Sequence, residues 1–190
     1  MAKSRWMRLA QSRAAAILYK AGIKANRATV LAALTGAFSG LAFARGHNAA
    51  ALAALWISAV LDAVDGTIAR NCERPTPFGG VLDLSSDRLV EAAALLGVVW
   101  ARPFLSFPAL VVVASWYLNI TVFLAVGAAS HGGEKLIEYP PGILERAEAF
   151  IFITALALIG RAGLYLCYAY AAAELWTALQ RLNYARRHLR

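Results

Sequence analysis

Four aspartates stand at fixed intervals in an apolar chain. They fall in Asp62-Ala63-Val64-Asp65-Gly66-Thr67-Ile68-Ala69-Arg70 and, after a gap of eight residues, in Gly79-Gly80-Val81-Leu82-Asp83-Leu84-Ser85-Ser86-Asp87. On helices, Asp62 and Asp65 are three residues apart and Asp83 and Asp87 four apart, so each pair shares a face. A short connection makes the two helices antiparallel neighbours, and all four carboxylates can then converge. Four negative charges cannot stay ionised together without compensation. Divalent cations held by hard oxygen ligands supply it, and two such ions about 4 Å apart suit in-line displacement at phosphorus. Gly66, Ala69 and Gly79 leave room for a bulky group to approach the backbone. The guanidinium of Arg70 can fork onto a phosphate. Each residue alone also has a structural reading: a buried aspartate as a hydrogen-bond partner, small residues as helix-packing positions, Arg70 and Arg74 as topology charges. The register of the whole pattern is what points to metal and phosphate.

The elements that must position these residues are membrane helices. Of 190 residues, 60% are hydrophobic, and the mean hydropathy is +0.56, beyond what a soluble core of this size can hide. The apolar runs read as six spans over 28–45, 48–70, 79–101, 104–129, 141–160 and 162–182. An interfacial helix is expected over 1–24 and a basic tail over 183–190. The predicted fold is all-α: one domain over 1–190, whose six-helix bundle over 28–182 encloses a polar cavity. Lys3, Arg5, Arg8, Arg13, Lys20, Lys24 and Arg27 precede the first span; Arg70, Arg74, Lys135, Arg181, Arg186, Arg187 and Arg190 fall on the same side. The other side carries only Arg45, Arg102 and Arg161. The positive-inside rule then puts both termini and the aspartates at the cytoplasmic face of the cell membrane.

The net charge of +8 is this topology signal. It flanks spans rather than forming a basic soluble face, which argues against nucleic acid and for anionic lipid head groups. The first residues are too basic and interrupted for a secretory signal peptide. Trp6, Leu9, Ala10, Ala14 and Ile17 share a face that Arg13 and Lys20 interrupt, as in an interfacial helix with snorkelling cations; a plain anchor and a substrate role both fit it. Cys72 and Cys167 lie too far apart in the topology for a disulfide, and His47, His131 and His188 form no zinc pattern.

Asp-x-x-Asp-Gly-x-x-Ala-Arg, eight residues, then Gly-x-x-x-Asp-x-x-x-Asp resembles the signature of the CDP-alcohol phosphotransferase family, and Asp62 to Asp87 match every position. The resemblance implies a CDP-linked lipid as donor, an alcohol as acceptor and release of CMP. It implies Asp62, Asp65, Asp83 and Asp87 as ligands of Mg²⁺ or Mn²⁺, two ions in all, with Asp87 as general base. Asp65, Gly66, Ala69, Arg70 and Gly79 would line the nucleotide site. Asn26 and Thr29 resemble a pair that these enzymes carry before the first span. A homodimer is also implied; the apolar spans with Trp100, Trp116 and Trp176 fit it but fit an interfacial belt equally.

The acceptor is less sharply written. The Gly-Lys-x-Lys-Thr stretch of glycerophosphate-using members is absent. Gly142-Ile143-Leu144-Glu145-Arg146-Ala147-Glu148 resembles, in part, a stretch of the inositol and inositol-phosphate branch, and Asp87-Arg88 fits the same branch. Lys135, Arg146 and Arg88 are then the expected acceptor-binding residues, with glycerol 3-phosphate or serine as alternative acceptors. Arg146 can instead pair with Glu145 or Glu148, and Lys135 can be a topology charge. Two other classes of protein also carry aspartates in apolar helices. An aspartate-rich membrane prenyltransferase has more spans, different spacing and no Gly-x-x-Ala-Arg continuation, and releases pyrophosphate. A divalent-cation transporter would place carboxylates through the midplane, often in repeats.

Overall fold

The computed structural model describes residues 2–129 and 146–189, with side chains over 11–129 and 147–189. Every regular element among them is helical: α1 (Ala2–Lys20), α2 (Ala25–Ala44), α3 (Asn48–Asn71), α4 (Pro77–Ala101), α5 (Ser106–Ala129) after a 3₁₀ turn at Pro103–Leu105, α6 (Arg146–Leu158) and α7 (Gly163–His188). The chain divides into two compact units, Met1–Ala101 and Arg102–Arg190.

Among the described residues, three segments are long and apolar enough to cross a membrane: α2, α3 and Pro103–Ala129. The other predicted spans coincide with helices of different character. α4 carries Asp83, Asp87, Arg88 and Glu91; α6 is a shorter apolar helix; α7 carries Glu174 and Arg181. The predicted tail over 183–190 is not a separate segment, because α7 continues to His188. Its Arg186, Arg187 and His188 sit in the last helical turn, where cations face the negative end of the helix dipole.

Glycine ends the first two helices. Gly22 (φ 83°) and Gly46 (φ 78°) take left-handed backbone. After α1, Ile23 N donates to Leu18 O (3.0 Å) and Gly22 N to Tyr19 O (2.9 Å). After α2, His47 N donates to Ala42 O and Gly46 N to Phe43 O, both 2.9 Å. Both are Schellman closures, which serve carbonyls that the helix end would leave unsatisfied. α4 begins on Thr76, whose Oγ1 accepts from Gly79 N at 3.0 Å, with Pro77 at the first helical position.

In the first unit α2 packs along both α3 and α4. Small residues make the approach possible. A Cβ on Gly36 would meet Val90 and the Ser58 hydroxyl, one on Gly40 the carbonyl of Ala93, and one on Gly97 the backbone of Gly40. Buried Ser58 donates to the Ala32 carbonyl at 2.7 Å across the α2–α3 contact. Helix α1 is more than a surface anchor. Ala15 is fully buried with Ala25, Ala28, Val64 and Ile68, and Ala14 and Leu18 pack on that cluster, so α1 backs α3 at Val64 and Ile68. Ile17, assigned from sequence to the apolar face, is exposed.

In the second unit α5 packs on α7. Asn119 bridges them: its amide donates to Glu174, and its Oδ1 accepts from Arg181 Nη1 at 2.7 Å. Trp116, Phe152 and Tyr170 form an aromatic cluster, with Phe152 stacked on Tyr170 at 4.0 Å. The Arg102 guanidinium forks onto the end of α6, donating to Leu156 O (2.7 Å) and Ala157 O (2.6 Å).

Candidate active site

The carboxylates and the cavity beside them lie within the first unit. Ligand oxygens of Asp62 on α3 and of Asp83 and Asp87 on α4 lie within 4.8 Å of one another. Asp87 is buried, and Asp62 and Asp83 are half-buried. Asp65 falls outside this triplet. Three residues of α-helix turn it about 60° from Asp62, against about 40° between Asp83 and Asp87. It is 4% exposed, and its Oδ2 has no hydrogen-bond partner among the described residues. Thr29, whose hydroxyl donates to Ala25 O at 3.1 Å, lies beside it.

Next to the triplet is a cavity of about 290 Å³. Asn26, Thr29, Asp65, Gly66, Ala69, Arg70 and Gly79, the seven positions singled out for a nucleotide, all line it, and so does Asp83. Asp83 thus belongs both to the carboxylate triplet and to the cavity wall. The glycines have local reasons. A Cβ on Gly66 would come within 3.1 Å of Arg70 Nη1, so Gly66 lets the guanidinium lie over the helix. A Cβ on Gly79 would stand 3.1 Å from Thr76 Oγ1 and 3.3 Å from Asn26 Oδ1.

Sequence reasoning did not single out Glu73, Thr76 or Gly80, which also line the cavity. Thr76 carried a legible signal, a threonine before Pro77 at a helix start. Of the expected acceptor residues, Arg88 lies on α4 and pairs with Glu91 at 2.9 Å. Lys135 and the Arg146 side chain lie outside the described residues.

The donor set is purely carboxylate, which suits hard cations such as Mg²⁺ or Mn²⁺ over softer ones. Opposite ligands of an octahedral Mg²⁺ stand about 4.2 Å apart, so oxygens gathered within 4.8 Å need only small side-chain adjustments to share an ion. The buried, unpartnered Oδ2 of Asp65 is a further acceptor at the cavity wall. The residues therefore fit a divalent cation.

The sequence model of the CDP-alcohol phosphatidyltransferase family matches residues 23–180. The phosphatidylinositol phosphate synthase of Mycobacteroides abscessus is 29% identical over 76% of the chain, a match that spans 66% of that relative's length. The archaetidylinositol phosphate synthase of Pyrococcus horikoshii is 31% identical, over 88% of the chain and 86% of the relative. The fold is that of the phosphatidylinositol phosphate synthase of Mycobacterium tuberculosis. Its crystal structure with CDP-DAG bound aligns at a TM-score of 0.75 and 23% identity, covering 91% of this chain and 92% of that one. Its complex with manganese and citrate aligns at 0.76 and 23% identity, covering 91% and 87%.

Proposed function

The chain belongs to the CDP-alcohol phosphatidyltransferase family, and from that premise we propose that it transfers the phosphatidyl-type group of a CDP-linked lipid to inositol phosphate and releases CMP. It is an integral membrane enzyme. The observation that carries the reading is the convergence of Asp62, Asp83 and Asp87 beside a cavity lined by Asn26, Thr29, Gly66, Ala69, Arg70 and Gly79. The acceptor follows the relatives named for inositol-phosphate lipids and the Asp87-Arg88 pair. The family match runs through both compact units, which supports 1–190 as one functional domain. Six spans, a cytoplasmic site with both termini on that side, and a homodimer complete the proposal.

Asp62, Asp83 and Asp87, with Asp65 from the cavity wall, would hold the cations. Mg²⁺ or Mn²⁺ bound there supplies positive charge that offsets the donor diphosphate and the departing CMP. Arg70 adds a guanidinium to the same phosphates, lying over Gly66, where a Cβ would crowd it. Asn26 and Thr29 supply an amide and a hydroxyl to the cytidine, and Gly79 keeps the wall flat. Asp87 receives the proton of the acceptor hydroxyl as its oxygen bonds to the lipid-bearing phosphorus. The bond from that phosphorus to the oxygen bridging to CMP breaks, and CMP leaves with the electron pair. Lys135, Arg146 and Arg88 would hold the acceptor phosphate.

The test is CMP release from CDP-diacylglycerol or its ether analogue, with Mg²⁺ or Mn²⁺, across inositol 1-phosphate, inositol, glycerol 3-phosphate and serine. CMP formed with inositol 1-phosphate and abolished by EDTA is the expected result. Turnover with glycerol 3-phosphate or serine alone would overturn the acceptor assignment. Pyrophosphate release, or cation flux into proteoliposomes without CMP, would overturn the reaction.

A further inference from the structure

Glu91 lies one turn beyond Asp87 on α4 and is 2% exposed. A carboxylate so buried is costly unless it is paired. One partner is Arg88: Nη2 donates to Glu91 Oε1 at 2.9 Å. The pair is asymmetric, with side-chain exposures of 37% for Arg88 and 3% for Glu91. Glu91 holds one corner of the guanidinium inside the helix packing. The Arg88 Nε is itself buried and has no hydrogen-bond partner among the described residues. An arginine tethered at one Nη, with its side chain still 37% exposed, keeps its remaining Nη–H groups for an anionic oxygen. Tethering also removes much of the rotamer freedom that binding would otherwise cost.

We propose that Glu91 is a positioning residue for acceptor recognition: it anchors Arg88 so that the guanidinium presents its open edge to the phosphate of a phosphorylated polyol beside Asp87. This rests on the acceptor reading above. It adds a selectivity device within α4 that favours phosphorylated over unphosphorylated acceptors, separate from the carboxylates that handle the donor.

The experiment compares wild type, Glu91→Gln, Glu91→Asp, Arg88→Met and the Arg88→Met/Glu91→Gln double variant in CMP release, with KM measured separately for inositol 1-phosphate and for CDP-diacylglycerol. Glu91→Gln should raise the acceptor KM about tenfold, the loss of one charge-assisted contact. It should leave kcat and the donor KM within about twofold of wild type, because the donor contacts are untouched. Glu91→Asp should recover part of the loss. The double variant, which leaves no unpaired buried charge, should be no worse for the acceptor than Arg88→Met alone. An unchanged acceptor KM in Glu91→Gln, an equal fall in affinity for both substrates, or additive losses in the double variant would each overturn the proposal. Should wild type accept only unphosphorylated alcohols, the acceptor reading fails and this inference falls with it. Should wild type use inositol 1-phosphate while Glu91→Gln behaves like it, the inference alone fails.

Discussion

Replacing Asp83 by asparagine should stabilise the cation-free protein while abolishing activity. Asp83 shares a gap of 4.8 Å or less with both Asp62 and Asp87. Two unit charges at that separation repel by about 3.5 kcal/mol at an effective permittivity near 20. Solvent reaching the half-buried carboxylates screens much of this, which leaves about 1–3 kcal/mol for the two pairs together. Asparagine keeps the shape and removes the charge, so the midpoint of thermal unfolding in detergent without divalent cation should rise by several degrees. Saturating Mn²⁺ should then reverse the order. Wild type should gain stability by binding the ion, whereas Asp83→Asn, lacking the ligand common to the triplet and the cavity wall, should gain little. CMP release measured in parallel should fall to background. A lower cation-free midpoint in the variant, or an undiminished Mn²⁺-dependent rise accompanied by CMP release, would refute the carboxylate argument.

Three further outcomes are expected. Asp87→Asn should retain CDP-lipid binding, followed by isothermal titration, while turnover drops by about 10²–10⁴-fold through loss of the base; wild-type-like turnover would remove Asp87 from that role. Gly97→Ala must push α4 off α2, because the new methyl meets the Gly40 backbone; the cost is on the order of 1–3 kcal/mol, read as a depressed unfolding midpoint, and an unchanged midpoint would contradict the packing described. Glu174→Ala removes the acceptor of the Asn119 amide between α5 and α7 and should cost about 1–3 kcal/mol, whereas Glu174→Gln, which still accepts from Asn119, should cost less; equal midpoints for the two variants would argue against the bridge.

Much of the site was readable before any coordinates because its chemistry is local. Asp62, Asp83 and Asp87 were brought together by helical spacing and one short connection, and those are properties of consecutive residues. Gly66, Gly79 and Arg70 follow from the same register. What escaped the sequence depends on partners far along the chain. Whether Asp65 joins the triplet or the cavity wall turns on about 60° of helix rotation, which only packing against α2 and Thr29 decides. That α1 backs α3 through Ala14, Ala15 and Leu18 was hidden because alanine reads alike on an interfacial face and in a tight contact. Arg181 reads in the sequence as a topology charge; Asn119, more than sixty residues away, gives it a structural place. The end of α7 was lost because basic residues that read as a tail also suit a helix terminus.

The Arg102 fork bears on how the chain is assembled. An apolar helix that stops inside a membrane protein leaves its last carbonyls exposed to surroundings that cannot solvate them. The residue that serves Leu156 and Ala157 precedes them by 54 and 55 positions. In a polypeptide made from its N-terminus, the guanidinium has left the ribosome before the helix it will close. The terminus of α6 therefore has a partner as soon as it forms, and the order of synthesis coincides with the order in which these polar groups must be satisfied. Arg102 also belongs to the charge-poor side of the topology read from sequence, and the fork gives a reason for a cation to persist there.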